Sequence, residues 1–249
     1  KGRCASFPDR DGLVAGLADI YAQGPERLRP PRVDWFHLGA DAAPSPVFAE
    51  AEAKRDPSIP GGRPTFLMVG TVEPRKEHSQ ALGAFDLLWR QGLDVQLVIV
   101  GWEGWRNVSG REREPVEETV GALYGHPELD RRLFWLQEVD DVLLRRIYSA
   151  STCLLMASEG EGFGLPLVEA AEHDLPLLLR DIPVFREIAG DYAAYFRGDR
   201  AEDLASALQR WLDLFRRNQH PRSGSMPRQS WADSAKQIER TLLSYGPWN

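Results

Sequence analysis

Between residues 65 and 196 the apolar positions come in short unbroken blocks, at 65–70, 95–101, 133–136, 153–157, 175–179 and 193–196. Blocks of this length with no polar alternation read as strands covered on both faces. Between them the apolar period lengthens to that of a helix. Leu82, Phe85, Leu88 and Trp89 share one face of a helix that stops before Gly92. A charged helix is predicted over 114–124, another from an Asp140–Asp141 cap to Ala150, a third over 166–173 and a short one over 183–189. Leu204, Ala207, Leu208, Trp211 and Phe215 predict an amphipathic helix over 201–215, and Ala235, Ile238 and Leu242 one over 231–245. Nearer the start, Leu13, Val14, Leu17, Ile20 and Tyr21 predict a helix, residues 33–38 a short strand, and the proline-rich stretch 39–64 a linker. Residues 216–230 read as a basic, polar loop. Strands alternating with helices predict an α/β fold, a parallel sheet with right-handed crossovers and helices on both faces.

One strand–turn–helix unit stands out. The apolar run 153–157 enters a turn with Gly160, Gly162 and Gly164, and a helix follows with Pro166 at its start. A glycine turn opening a helix after a buried strand offers free backbone N–H groups and the positive end of the helix dipole, an anion site. Glu161 lies in the turn and Glu169 eight positions on, within the helix. Two carboxylates do not suit phosphate but do suit hydroxyl groups, because an ionised carboxylate only accepts. A diphosphate flanked by two polyols, as in a nucleotide sugar, satisfies the whole unit. The plainer reading makes Glu159 and Glu161 solvated loop acids and Glu169 a surface helix residue.

Composition narrows this little but usefully. The 249 residues, 43 % hydrophobic, suffice for one large α/β domain or two small ones. A net charge of −7 disfavours bulk attraction to nucleic acid. Two cysteines imply no disulfide framework and fit a reducing compartment. No run has the length of a transmembrane helix.

Ligands of an open parallel sheet bind beyond the carboxyl ends of its strands. Four loops meet there, at 70–76, 101–107, 137–140 and 158–165. The first holds Gly70 and places Arg75 and Lys76 just before a helix, where cations oppose the dipole unless a ligand diphosphate reverses the sign. Two solvated basic residues are the plain alternative. In the third, backbone groups near Val139 can read a flat heterocycle, or belong to an ordinary loop. Trp102 and Trp105 can stack on a ring, although packing is the commoner use of tryptophan. His78 reads as a helix-surface residue, His126 as a turn residue, and His173 as a helix-end cation. Asp9 and Asp11 read as a helix cap rather than a metal site. No histidine pairs with a serine or cysteine as a nucleophile, no cluster has zinc spacing, and the Gly-x-x-x-x-Gly-Lys-Ser/Thr phosphate loop is absent.

Residues 65–196 resemble the nucleotide-sugar-binding half of retaining GT-B glycosyltransferases of group 1 (family 4). The resemblance rests on four blocks: 69–76 (VGTVEPRK), 98–101 (VIVG), 158–169 with its Glu-x7-Glu spacing at Glu161 and Glu169, and 181–187 (DIPVFRE). The Glu-Pro-Arg-Lys form is similar to that of bacterial enzymes building O-antigen and other surface polysaccharides, often with mannose or rhamnose donors. The resemblance implies a Rossmann-like parallel sheet, one half of a GT-B fold. Residues 63–217 would be the donor-binding domain, 1–62 a remnant or link from the acceptor half, and 218–249 a loop and helix packing back. Arg75 and Lys76 would neutralise the diphosphate and the charge growing on it, while the backbone of Gly164 and Leu165 holds phosphate oxygens. Glu161 would contact the donor sugar and Glu169 the ribose. The implied substrates are a GDP-, UDP- or dTDP-linked hexose and a glycan acceptor held by the other half. No metal or other cofactor is implied, and the implied location is the cytoplasm, including the inner face of the membrane. Two departures stand out: Glu77 where the family often has glycine, and Asp174 in a segment where it often has a small residue and glycine before proline. The alternatives are a non-catalytic lobe, or a phosphorylase or epimerase, on the same fold.

Overall fold

The structure, a computed structural model, describes residues 36–39, 62–106 and 108–244. The expected N-terminal helix with Asp9 and Asp11, residues 33–35, most of the linker and Asn107 lie outside the described residues. Residues 36–39, the described end of the expected early strand, pair with no strand.

Among the described residues, strands β1 (Thr65–Val69), β2 (Gln96–Val100), β3 (Leu133–Leu136), β4 (Cys153–Met156), β5 (Leu177–Arg180) and β6 (Ala194–Phe196) form one sheet. Its order is β3-β2-β1-β4-β5-β6 and every pairing is parallel. Helices α1 (His78–Arg90), α2 (Glu114–Tyr124), α3 (Asp141–Ala150), α4 (Leu165–Glu172), α5 (Pro183–Ala189), α6 (Ala201–Arg216) and α7 (Trp231–Ser244) complete the described chain.

The unbroken apolar blocks now have a cause. Successive side chains of a strand point to opposite faces, and both faces are buried. Phe66, Leu97, Ile99, Cys153 and Leu155 meet α1 and α6 on one side, where Phe66 packs edge-on against Phe85 and Trp211. Leu67, Val98, Leu154 and Met156 meet α3, α4 and α5 on the other, with Phe185 at the centre. Each fully buried side chain of this size contributes about 1.5–3 kcal/mol, so both cores hold the sheet between its helix layers.

Three expectations need correction. The block at 175–179 becomes a strand only at Leu177, because Pro176 has no N–H for the ladder, and the strand continues into the buried Arg180. The loop at 217–230 is not simply solvated. Met226 enters the second core, Ser223 donates to the Leu175 carbonyl at 2.7 Å and Arg228 to that of Ala171 at 2.7 Å. Helix α7 turns a different face inward. Ser234 is buried and donates to the His37 carbonyl at 2.7 Å, while Ala235 and Leu242 are exposed. A hydrogen bond to the 36–39 segment, which no periodicity reveals, sets its rotation.

Candidate functional site

The chain leaves β1 toward β2 and leaves β4 toward β5, on opposite sides of the sheet. That reversal opens a crevice between the two carboxyl ends, the place where such sheets hold ligands. The loops leaving β1 and β4 are joined there by their backbones, Glu159 N–H donating to the Arg75 carbonyl at 2.9 Å. A short 3-10 turn, Pro74–Lys76, presents the two cations. Next comes Glu77 at φ 56°, ψ 39°, left-handed backbone that glycine adopts without strain. Its carboxyl is pushed above the usual carboxylate range by burial and by Glu159 and Asp199, against the opposing pull of Arg180.

Glu161 is the hub of the crevice. Its Oε1 accepts from Lys76 Nζ at 2.8 Å and from Ser158 Oγ at 2.9 Å, and its Oε2 from Arg75 Nη1 at 2.8 Å. The side chain is only 8 % exposed, and Arg75 is 46 % exposed. Burial alone would raise the Glu161 pKa, but hydrogen bonds from Lys76, Ser158 and Arg75 and the Lys76 charge overcome it, and the carboxyl stays below its usual range. Arg75 also donates to the Gly160 carbonyl at 3.0 Å and, through Nε, to Glu73 at 3.1 Å, while Glu73 accepts from Thr71 at 2.6 Å. Three of the roughly four acceptor positions on Glu161 are thus taken, leaving about one for an outside hydroxyl. Lys76 Nζ keeps protons beyond the one given to Glu161.

The second glutamate sits differently. Gly164 caps α4 in left-handed backbone at φ 91°, ψ 52°, and a Cβ there would also press on Phe185 at 3.1 Å. Pro166 has no N–H and Leu167 N–H donates to the Gly164 carbonyl at 2.9 Å, which leaves Gly164 and Leu165 as the backbone donors of this helix start. One turn in, Glu169 accepts from the Tyr148 hydroxyl of α3 at 2.7 Å. Its pKa is raised, by burial first, with Glu172 and Asp141 adding to this and Tyr148 opposing. A carboxylate with one bond taken keeps acceptor positions for a pair of neighbouring hydroxyls.

Beneath the crevice lies a buried cation. Arg180 donates to the Ala157 carbonyl at 2.7 Å, to Gly198 at 2.6 Å and to Gln80 at 2.5 Å, and Gln80 in turn donates to Arg200 at 2.9 Å. This ties the end of β4 to the first turn of α1, fixing the spacing of the two loops. Gly70 and Gly101 allow close approach, since a Cβ on Gly101 would overlap the Gly70 carbonyl and one on Gly70 would lie 2.9 Å from Lys76 Nζ.

The structure brings Gly70, Arg75, Lys76 and Glu161 into one contact set and places Gly164 and Leu165 at the end of the same turn. Glu169 belongs to the same unit, held separately by Tyr148. Val139 stands apart, half-buried against the core cluster of α3 and α4. Sequence reasoning missed Ser158 and Glu73, whose bonds to Glu161 and Arg75 are set by local turn geometry, and Tyr148, whose bond to Glu169 comes from another helix. It also misjudged three aromatic residues. His78 is not on the helix surface: it is 2 % exposed, its Nδ1 has no partner among the described residues, and burial beside Lys76 lowers its pKa to about 3. Trp102 and Trp105 are not packed away but 40 % and 39 % exposed. The other two histidines read from the sequence are less surprising. His126 lies in the turn after α2, bonded to Asp86 at 3.0 Å, and His173 stacks on Tyr148 at 5.4 Å.

A doubly wound parallel sheet with paired cations and an acid at its switch point defines a class, the α/β lobes that seat a ligand in that crevice. Comparison with known proteins makes the assignment specific. Residues 49–223 match the family described as glycosyl transferases group 1, and the chain belongs to that family. It is 44 % identical over 215 residues to the serotype-specific mannosyltransferase WbdA of Escherichia coli, covering 85 % of this chain and 25 % of the relative. It is 31 % identical over 179 residues to the phosphatidyl-myo-inositol mannosyltransferase of Mycolicibacterium smegmatis, covering 69 % of this chain and 43 % of that one. A glycosyltransferase crystal structure from Rickettsia africae superposes with a TM-score of 0.65 at 14 % identity, over 92 % of this chain and 61 % of that chain. The chain thus spans a quarter of the length of WbdA, and the relatives with solved structures share its fold. Among the described residues no helix is long and apolar enough to cross a membrane.

Proposed function

We propose that residues 63–217 bind a nucleoside-diphosphate sugar and serve as the donor half of a retaining glycosyltransferase. The donor sugar is a hexose, mannose or a 6-deoxyhexose before others, on GDP, UDP or dTDP, and the acceptor is a growing glycan held mainly by another half. The observation that carries this is the convergence of Arg75 and Lys76 on the buried Glu161 across the switch point. The diphosphate would sit against the exposed guanidinium edge of Arg75, Lys76 Nζ and the N–H groups at the start of α4. The remaining acceptor position of Glu161 suits one sugar hydroxyl, and Glu169 suits the ribose diol. As the bond from the sugar to the diphosphate breaks, the acceptor oxygen bonds the same carbon from the same face. The hydroxyl proton passes to the departing phosphate oxygen. Fixed cations and helix N–H groups then stabilise the charge that grows on the diphosphate, so the reaction needs no metal or other cofactor. The mannosyl preference is supported by the names of the relatives, and a site of action at the cytoplasmic face of a membrane fits polysaccharide assembly.

Ligand-observed NMR with GDP-mannose, UDP-glucose and dTDP-rhamnose tests the reading. One donor should show saturation transfer to sugar and ribose protons. Glu161→Gln should weaken the sugar contacts and Glu169→Gln the ribose contacts. Absence of transfer to every donor would overturn it.

A further inference from the structure

Next to the cations, on the loop leaving β2, two large indoles face outward. Trp102 and Trp105 are among the exposed large apolar side chains of the described chain. Their loop is fastened to the loop of Arg75. Val72 N–H donates to the Trp102 carbonyl at 2.8 Å, Gly104 N–H to Val72 at 3.1 Å, and Val72 forms a parallel bridge with Glu103. Gly104 lies so close to Glu73, which holds Arg75, that a Cβ there would come within 2.6 Å of Glu73 Cγ.

Polar contacts hold the Trp102 ring and the Trp105 backbone in place. The Arg106 guanidinium lies 4.5 Å over the Trp102 ring, an arrangement that fixes both groups. Trp105 has φ 53°, an outlier for a bulky side chain. Its carbonyl is pinned there by Val108 N–H at 2.9 Å and by Arg113 Nη1 at 2.8 Å, and Arg113 is itself bonded to Glu103 and Glu117. Strain of this kind persists only where the surroundings impose it, and it gathers at sites that hold ligands. Here it turns an apolar ring toward water at the rim of the crevice.

We propose that Trp102 and Trp105 form a carbohydrate-stacking rim that holds pyranose rings of the neutral glycan reactant beside the donor crevice. This rests on the donor-binding reading above. The chemistry fits a neutral sugar chain. Arg113 is already paired with Glu103 and Glu117, and Arg106 lies over one face of Trp102, so the rim offers the other face of that ring and the Trp105 ring, and such faces suit the C–H face of a pyranose. The donor-binding reading also gives the chain a glycan as its second reactant. The rim is continuous with the cation loop, so a sugar stacked on it lies next to the site of transfer.

Titration of the 249-residue chain with neutral manno-oligosaccharides of two to five residues, followed by indole fluorescence and protein NMR, tests the proposal. Saturable binding should perturb the indole N–H signals of both residues. Trp102→Ala and Trp105→Ala should each weaken it about tenfold, and the phenylalanine variants should restore most of the loss. All four variants should bind nucleoside diphosphates as the parent does. Four results would overturn it: no response up to millimolar sugar, equal affinity in the alanine variants, loss of nucleotide rather than sugar binding, or a dimer of this chain that Trp102→Ala dissolves. Failure of nucleotide binding in the parent chain, read in a separate titration, would count against the donor reading and not against the rim.

Discussion

Glu161 and Glu169 stand eight residues apart in one strand–turn–helix unit, and their surroundings push them in opposite directions. Glu161 meets two cations and a hydroxyl and stays ionised although buried. Glu169 meets one phenol and neighbouring acids, and its proton is held more tightly than usual. The difference shows that burial by itself does not set a carboxylate's state. What decides it is the loop that arrives from another strand. At Glu161 that loop comes from β1 and carries Arg75 and Lys76. At Glu169 the neighbour is α3, whose Tyr148 donates a hydrogen bond and whose Asp141 adds negative charge.

The largest test of this contrast removes a cation. Lys76→Met leaves Glu161 buried with the Ser158 hydroxyl and, as its remaining cation, the half-exposed Arg75, and unfolding in urea should show a loss of about 2–3 kcal/mol. A change under about 0.5 kcal/mol would show that Arg75 alone suffices, as for an exposed pair. On the other side, Tyr148→Phe removes the one hydrogen bond that Glu169 accepts among those described, and should cost about 1–2 kcal/mol. It should also push the Glu169 titration, followed by carbon-detected NMR, further up.

A smaller effect is expected at Glu77. Glycine there relieves left-handed backbone, which should raise stability by about 0.5–1 kcal/mol once the flexibility of glycine is allowed for. It also removes an acid beside the cations. Asp174→Gly makes a useful control. Asp174 has φ 50°, but its side chain also accepts from Gly224 N–H at 3.0 Å, so glycine there should give no gain.

The subtlest effect is one of sign. The folded pKa of Glu161 lies below its unfolded value, so its stabilisation is present above the unfolded pKa and lost as pH falls through the folded one. For Glu169 the folded pKa is the higher, so folding binds a proton between the two values and stability falls as pH rises through that window. Glu161→Gln should therefore flatten the acid limb of a melting-temperature profile. Glu169→Gln should help above the folded pKa of Glu169 and lose its advantage below the unfolded one. Parallel profiles for the two variants would erase the distinction.

Much of this was readable in the chain itself. The six apolar blocks predicted the strands because a sheet covered on both faces leaves no polar alternation, and glycine and proline marked the turns. The class of protein followed from Glu161, Glu169, Arg75 and Lys76 at their spacing. What sequence could not supply was which side chains meet, within a turn or between elements. The bond of Ser158 to Glu161 spans a turn and that of Tyr148 to Glu169 spans two helices. Helix α7 was rotated wrongly because a serine hydrogen bond, not its leucines, sets its inner face. The buried His78 and the exposed tryptophans defeated residue-type averages for the same reason. Both oddities lie beside the crevice, where a sequence is expected to break local rules. Glu77 and Asp174, departures from glycine in the sequence, proved to be left-handed backbone positions.

The central claim is that Arg75 and Lys76, held by Glu161 at the switch point, form a diphosphate site. Calorimetric titration of the parent chain, Arg75→Ala and Lys76→Ala with GDP, UDP and dTDP tests it most directly. The account predicts saturable binding of at least one nucleotide by the parent, weakened by at least about tenfold in each variant. No heat with any of the three, or equal affinity in Arg75→Ala and Lys76→Ala, would contradict it.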